Sequence, residues 1–501
     1  MLYLLIGDLD GRVAQIRGIS PILMRNVQPP MARNRSLSDP FTIAAMPLPK
    51  KVPTTRRRRL KEEAEAKRVS DAIDAQLKEE QLQQYQQKER RILLLGQSES
   101  GKSTILKQFQ LVYAPNVFRD ELSTWRGVIY LNLVRSVRRI VNAVTTEFEL
   151  DRESDDQPGS PRSSRSFERR EHFEALKYRL GPLMALEQTL VRLLNGEDMN
   201  TNDSASIASK EMYVRSNAPW RRLVAKLHGS TDRAPSTSGS AWNNYRGEDD
   251  PSHLLAASKV DIITLWRDPD IREILSTQQL RLEDLSGFFL DDIDRIADLN
   301  YAPSEDDVLR ARLKTLGVVE KTFNGDTSLV GLDRGVSWKL YDVGGARLQR
   351  HAWIPYFDTV NAIIFLAPIS AFDQTLSEDP SVNRVEDSLL LWRVVCSNRL
   401  LREAYIVLFL NKIDLLQAKL NAGVELSKFM PSYGERPNDY ASISKYFGNK
   451  FFAMHKSFSP NKHRRIYIHL TSAIDREGTR PIILNIRNIL LEENLERSLI
   501  I

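Results

Sequence analysis

Gly96-Gln97-Ser98-Glu99-Ser100-Gly101-Lys102-Ser103-Thr104 is the stretch on which the fold turns. It follows the apolar run Ile92-Leu93-Leu94-Leu95 and precedes Ile105-Leu106-Lys107-Gln108-Phe109, so the order reads strand, glycine loop, helix. Gly96, four residues, then Gly101-Lys102-Ser103 is the spacing of a Walker-type phosphate loop. In such a loop the backbone from Glu99 and Ser100 through Gly101 to Thr104 cradles phosphates, Lys102 reaches the β and γ groups, and Ser103 ligates Mg²⁺. The helix start beneath the phosphates adds its positive dipole end. The alternative, a chance lysine in a glycine-bearing turn, explains neither flank.

The rest of the 501 residues is ordinary soluble material, 42% hydrophobic and 27% charged, and is long enough for two or more domains. The net charge of +6 is small for this length and partly gathered at Lys50, Lys51 and Arg56 to Arg59, which argues for a local basic patch and against nucleic-acid binding. The single cysteine, Cys396, allows no intrachain disulfide and fits a reducing compartment. The N-terminus lacks the features of a secretory signal, and no apolar run reaches the ~18 to 20 residues of a spanning helix, so membrane contact is expected to be peripheral.

Residues 1–59 are rich in proline, without period, and read as a disordered extension. Residues 60–91 hold neither proline nor glycine, with Ala66, Val69, Ile73 and Leu77 at helical spacing, and predict a long helix that needs a partner. Residues 92–115 form the first part of a nucleotide-binding domain. Residues 116–305 are helical in pattern, interrupted by low-complexity loops at 151–170 and 229–251. From there to residue 501, short apolar runs at 336–341, 362–366, 406–410 and 467–470 alternate with helical stretches. The expectation is an α/β domain with a largely parallel sheet, interrupted by an inserted all-helical domain.

Three further motifs fall at the ends of those strands, where an open parallel sheet presents its ligand. Asp342-Val343-Gly344-Gly345 places a carboxylate for the hydration shell of Mg²⁺ and the Gly345 N–H for a γ-phosphate. Asn411-Lys412-Ile413-Asp414 offers Asp414 to guanine N1 and N2, a pair of donors that adenine lacks, with the Lys412 stem covering the base. Thr471-Ser472-Ala473 offers the Ala473 N–H to guanine O6.

Together these motifs and the helical insertion resemble a heterotrimeric G protein α subunit over roughly residues 60–501, with a Ras-like P-loop GTPase domain. Gln97-Ser98 after Gly96, and Ser38-Asp39-Pro40, look like a fungal branch. The run from Asp307 to Gly317 looks like the family's first switch. By that match Arg312 is the in-built arginine that stabilises the transferring phosphoryl group, and Thr315 is the second protein ligand of Mg²⁺. This family is itself the standing example of an arginine supplied in cis. The resemblance implies a GTP/GDP switch at the cytoplasmic face of the plasma membrane, relaying a signal from a seven-helix receptor, read through the C-terminus, to a downstream effector. It also implies a βγ dimer as partner, bound through residues 60–91 and Arg347, Arg350 and Trp353.

Two departures stand out. Where the family has a water-orienting glutamine after the double glycine, this chain has Ala346, so hydrolysis is expected to be slow with binding intact. The family's Met-Gly start is also absent, since Leu2 follows Met1, leaving myristoylation unsupported. A nucleotide-loaded scaffold that does not cycle is the alternative function. An ATP-using enzyme is disfavoured by Asp414.

Overall fold

Ile92 to Leu95 is apolar on both faces because it forms the middle of a sheet covered on both sides. In the computed structural model β1 (Glu89–Gly96) pairs in parallel with strands on either flank, and all four of these side chains are fully buried. Side chains alternate across a strand, so Leu93 and Leu95 enter one core layer with Trp392, Phe447 and Phe451. Ile92 and Leu94 enter the opposite layer with Ile105, Phe109, Ile483 and Ile486. Each such burial contributes about 1.5–3 kcal/mol.

The structure describes residues 65, 67–71, 89–155, 164–195, 250–278, 280–315, 317–324 and 336–499. The chain divides into two units, Met1–Lys88 and Glu89–Ile501. In the first, residues 65 and 67–71 are helical and Val69 is exposed. The expected extension at 1–59 and most of the expected helix at 60–91 lie outside the described residues. That helix does not run to Arg91, because Glu89, Arg90 and Arg91 pair in register with Ser337, Trp338 and Lys339.

The second unit carries a six-stranded sheet in the order β2 (Val318–Asn324), β3 (Ser337–Val343), β1, β4 (Ala362–Pro368), β7 (Tyr405–Asn411), β8 (Ile466–Thr471). Only the β2–β3 pairing is antiparallel. The sheet is therefore largely parallel, as the sequence pattern implied. Absent from that pattern were the edge strand β2 and a small hairpin of β5 (Thr375–Leu376) and β6 (Asp379–Asn383). Their short, polar strands show no run of apolar residues.

Helix α1 (Lys102–Tyr113) follows the phosphate loop, and the chain then enters a separate helical core. Its longest element is α2 (Arg126–Asp155), which buries Leu131, Val134 and Val137 against Leu176, Leu183 and Leu190 of α3 (Ser164–Arg179) and α4 (Gly181–Asn195). The expected loop at 151–170 is mostly helix: α2 continues to Asp155 and α3 begins at Ser164. Solvent-facing helix has the same polar composition as loop, and an ion pair from Arg169 to Asp270 at 2.6 Å holds the start of α3. Most of the expected loop at 229–251 lies outside the described residues.

Candidate functional site

Gly101 caps α1 with φ 104°, a left-handed conformation suited to glycine, and an added Cβ would collide with Asn411 Nδ2. The close approach is needed, because Asn411 Nδ2 donates to Ser100 O at 2.7 Å. Lys102 is buried and turns back over the loop, donating to Gly96 O at 2.9 Å and Gln97 O at 2.5 Å. Burial lowers its ammonium to about 8, with the Asp342 carboxylate opposing the shift.

Three oxygens from three separate segments meet beside Lys102. Ser103 Oγ lies 2.8 Å from Thr315 Oγ1 and donates to Asp342 Oδ2 at 2.5 Å, and Thr315 donates to the same oxygen at 3.2 Å. Asp342 is buried, which pushes its carboxyl up against the pull of Lys102 and the two hydroxyls, and its Oδ1 has no hydrogen-bond partner. Two hydroxyls and a carboxylate are hard oxygen donors that fit Mg²⁺, an ion held by few protein groups and several waters. Among the described residues no cluster of three or more His, Cys, Asp or Glu side chains forms a metal site, so this mixed set is the candidate.

On the side expected to hold the base, Asn411 acts as a staple. Its Oδ1 accepts from Thr471 Oγ1 at 3.1 Å and from Ala473 N at 3.0 Å, joining the ends of β7 and β8 to the phosphate loop. The Ala473 N–H is thus given to Asn411 in this structure. Lys412 takes φ 64° at the start of the helix Ile413–Asn421, and burial, followed by the nearby Arg384, lowers its ammonium to about 8. Asp414 is exposed and lines the same cavity as Lys102, Thr104 and Ala473.

Arg312 forms an ion pair with Glu99 of the phosphate loop at 2.5 Å, and Arg384 approaches the other oxygen of that carboxylate at 3.5 Å. Burial would raise the Glu99 carboxyl, but Arg312 and Arg384 outweigh it and hold it at about 2. Arg312 is positioned from the helical core: Asn132 Oδ1 accepts from its N–H at 2.6 Å and Asn132 Nδ2 donates to its C=O at 2.9 Å. Just upstream, the helix Glu305–Arg310 starts with a reciprocal cap between Ser304 and Asp307. Asp307 also receives Arg295 at 2.7 Å and Tyr301 at 3.0 Å.

The second glycine pair is equally constrained. A Cβ on Gly345 would strike the backbone of Gln97 and Ser98, so only glycine lets this strand end approach the phosphate loop. Trp353 is buried and donates to Gly344 O at 2.9 Å, while Arg350 and Arg347 bind Asp387 at 2.6 and 3.2 Å. These three were expected to face a partner, but here they bind within the chain; Leu348, 88% exposed, faces outward instead. Asn132, Gln349 and the Glu99 carboxylate as partner of Arg312 were not singled out from sequence. Asn132 carries a faint signal as a polar residue in the apolar run 128–134.

A phosphate loop, a mixed oxygen set at its lip and an NKxD loop at the neighbouring strand end define a P-loop nucleotide-binding protein of the GTPase class. The sequence profile described as "G-protein alpha subunit" matches residues 67–490. The chain is 30% identical to the "Guanine nucleotide-binding protein alpha-4 subunit" of Mycosarcoma maydis over 92% of this chain and 96% of that protein. It is 31% identical to a "Guanine nucleotide-binding protein subunit alpha" of Emericella nidulans over 87% and 96%. The chain belongs to the G-protein alpha subunit family, whose members bind guanine nucleotides, hydrolyse GTP and act in signal transduction with βγ, receptor and effector partners. Among the described residues no helix is long and apolar enough to cross a membrane.

Proposed function

We propose that this chain is a GTP/GDP switch with a slow timer, relaying a signal from a seven-helix receptor to an effector from the cytoplasmic face of the plasma membrane. The observation that carries the switch reading is the meeting of Ser103, Thr315 and Asp342, since it links the phosphate loop to both segments expected to switch. In this reading Ser103 and Thr315 hold Mg²⁺ directly and Asp342 holds it through water. The ion supplies charge neutralisation at the phosphates.

The backbone from Glu99 to Thr104, together with the Gly345 N–H, binds phosphate, and Asp414 with Lys412 and Ala473 selects guanine around the Asn411 staple. Arg312 leaves Glu99 to meet charge on the transferring phosphoryl group. Ala346 carries a methyl where an amide would orient water, which supports slow hydrolysis. The domain limits that go with this reading are residues 92–115 and 306–501 for the GTPase domain and 116–305 for the helical one. A βγ dimer binds at residues 60–91 and the second switch.

The test is equilibrium binding of a non-hydrolysable GTP analogue, with and without Mg²⁺ and against excess ATP. Mg²⁺-dependent binding that ATP fails to displace supports the reading; displacement by ATP contradicts it. A non-cycling scaffold is the outcome if tight binding comes with no turnover that Ala346→Gln restores.

A further inference from the structure

Gln349 lies one helical turn beyond Ala346, and its N–H donates to Ala346 O at 2.9 Å. It lies in the first turn of the 3-10 helix Arg347–Tyr356, just after the glycine pair. Gln349 reaches back over that pair. At Gly344 an added Cβ would collide with Gln349 Oε1 and would lie 3.1 Å from Thr315 O. That Oε1 is buried and has no hydrogen-bond partner. The residue lines the same cavity as Lys102, Ser103, Thr315, Asp342 and Gly345. Leaving an acceptor buried and unpaired is costly, and such an atom calls for a function.

We propose that Gln349 Oε1 orients the attacking water in GTP hydrolysis, taking over from the amide that Ala346 lacks. The inference rests on the hydrolytic reading of the site. In that step the water oxygen bonds to the γ-phosphorus, and the bond from phosphorus to the β–γ bridging oxygen breaks. The electron pair of the broken bond leaves on the β-phosphate of GDP. The water's protons end on inorganic phosphate and solvent, and Gln349, which accepts a hydrogen bond from the water, finishes unchanged. Because it acts from a turn further along the chain, the native rate falls between that of a protein without either amide and that of Ala346→Gln.

The experiment compares the native full chain with Gln349→Ala, Gln349→Met, Ala346→Gln and the double variant Ala346→Gln/Gln349→Ala. Single-turnover GTP hydrolysis is read beside GDP binding, and beside binding of GDP with aluminium fluoride, a mimic of the transferring phosphoryl group. Gln349→Ala and Gln349→Met should lose roughly 10- to 100-fold in hydrolysis. They should weaken the fluoride complex by a similar factor, with GDP affinity within about twofold of native. The double variant should hydrolyse as fast as Ala346→Gln, which packing alone would not produce. Native-like hydrolysis in both Gln349 variants, a matching loss of GDP affinity, or no native hydrolysis at all would overturn the proposal. Failure of Ala346→Gln to accelerate counts only against the slow timer, because the single Gln349 variants are read against native protein.

Discussion

The two sides of the nucleotide cavity differ in how firmly their key side chains are tied within the chain. On the phosphate-loop and base side, Lys102 is bound to two carbonyls and Asn411 uses both its amide oxygen and its amide nitrogen to tie three loops together, although Gln97 Oε1 and Ser100 Oγ of the loop are buried without partners. On the second-switch side, Asp342 Oδ1 and Gln349 Oε1 are buried without partners, and position 346 holds only a methyl. Internal satisfaction preorganises a site before its ligand arrives, whereas unpaired acceptors wait for groups that come with it. Binding and hydrolysis should therefore respond separately to mutation.

The largest effect is expected from Lys102→Met, which removes the buried cation and should weaken GTP-analogue binding at least 100-fold by titration calorimetry, from about 3 kcal/mol of lost charge-assisted contact. Arg312→Ala should cut single-turnover hydrolysis by roughly 100-fold or more while analogue binding changes little. Comparable losses of binding and hydrolysis in both variants would erase the contrast between the two sides.

Asn132→Ala sharpens it from a distance. Losing the two hydrogen bonds that hold the Arg312 backbone should slow hydrolysis about tenfold, equivalent to ~1–2 kcal/mol, with nucleotide affinity unchanged. A drop in affinity instead would place Asn132 on the binding side.

The smallest effect concerns stability. Burial works against the Asp307 carboxylate, but hydrogen bonds from Arg295 and from the Ser304 N–H hold its pKa well below the usual carboxylate range. A carboxyl depressed on folding contributes stability that is present above its unfolded pKa, near 4, and is lost as pH falls below that value. Thermal melts of Asp307→Asn should therefore show a shallower loss of Tm than the native protein between about pH 5 and pH 3. Parallel curves would refute this role.

The phosphate loop, the Asp342 strand end and the NKxD loop were legible because each is a local pattern whose spacing is set by backbone geometry within a few residues. The largely parallel sheet was legible for the same reason, since its central strands are short apolar runs such as Ile92 to Leu95. What stayed hidden depends on contacts distant in sequence. Asn132 meets Arg312 across the helical insertion, and Lys419 is a buried lysine that reaches Asp284 at 2.9 Å and Asp373 at 2.5 Å. Lys419 has no sequence signature and Asn132 only the faint one of a polar residue in an apolar run, because an asparagine or lysine in a helix is ordinarily solvated. The edge strand β2 escaped because its mixed sequence, Val-Val-Glu-Lys-Thr-Phe-Asn, lacks a buried run. Gln349 escaped because its significance rests on its Oε1 being buried against Gly344 without a partner, which no sequence pattern shows.

The most direct test of the central claim is single-turnover hydrolysis of GTP in Mg²⁺, measured beside analogue affinity on the native protein and on Ala346→Gln. Equal affinities with turnover at least tenfold faster in Ala346→Gln are expected, because the substitution touches the hydrolytic side and leaves Lys102 and the Asn411 staple in place. Equal turnover in the two proteins would contradict the account.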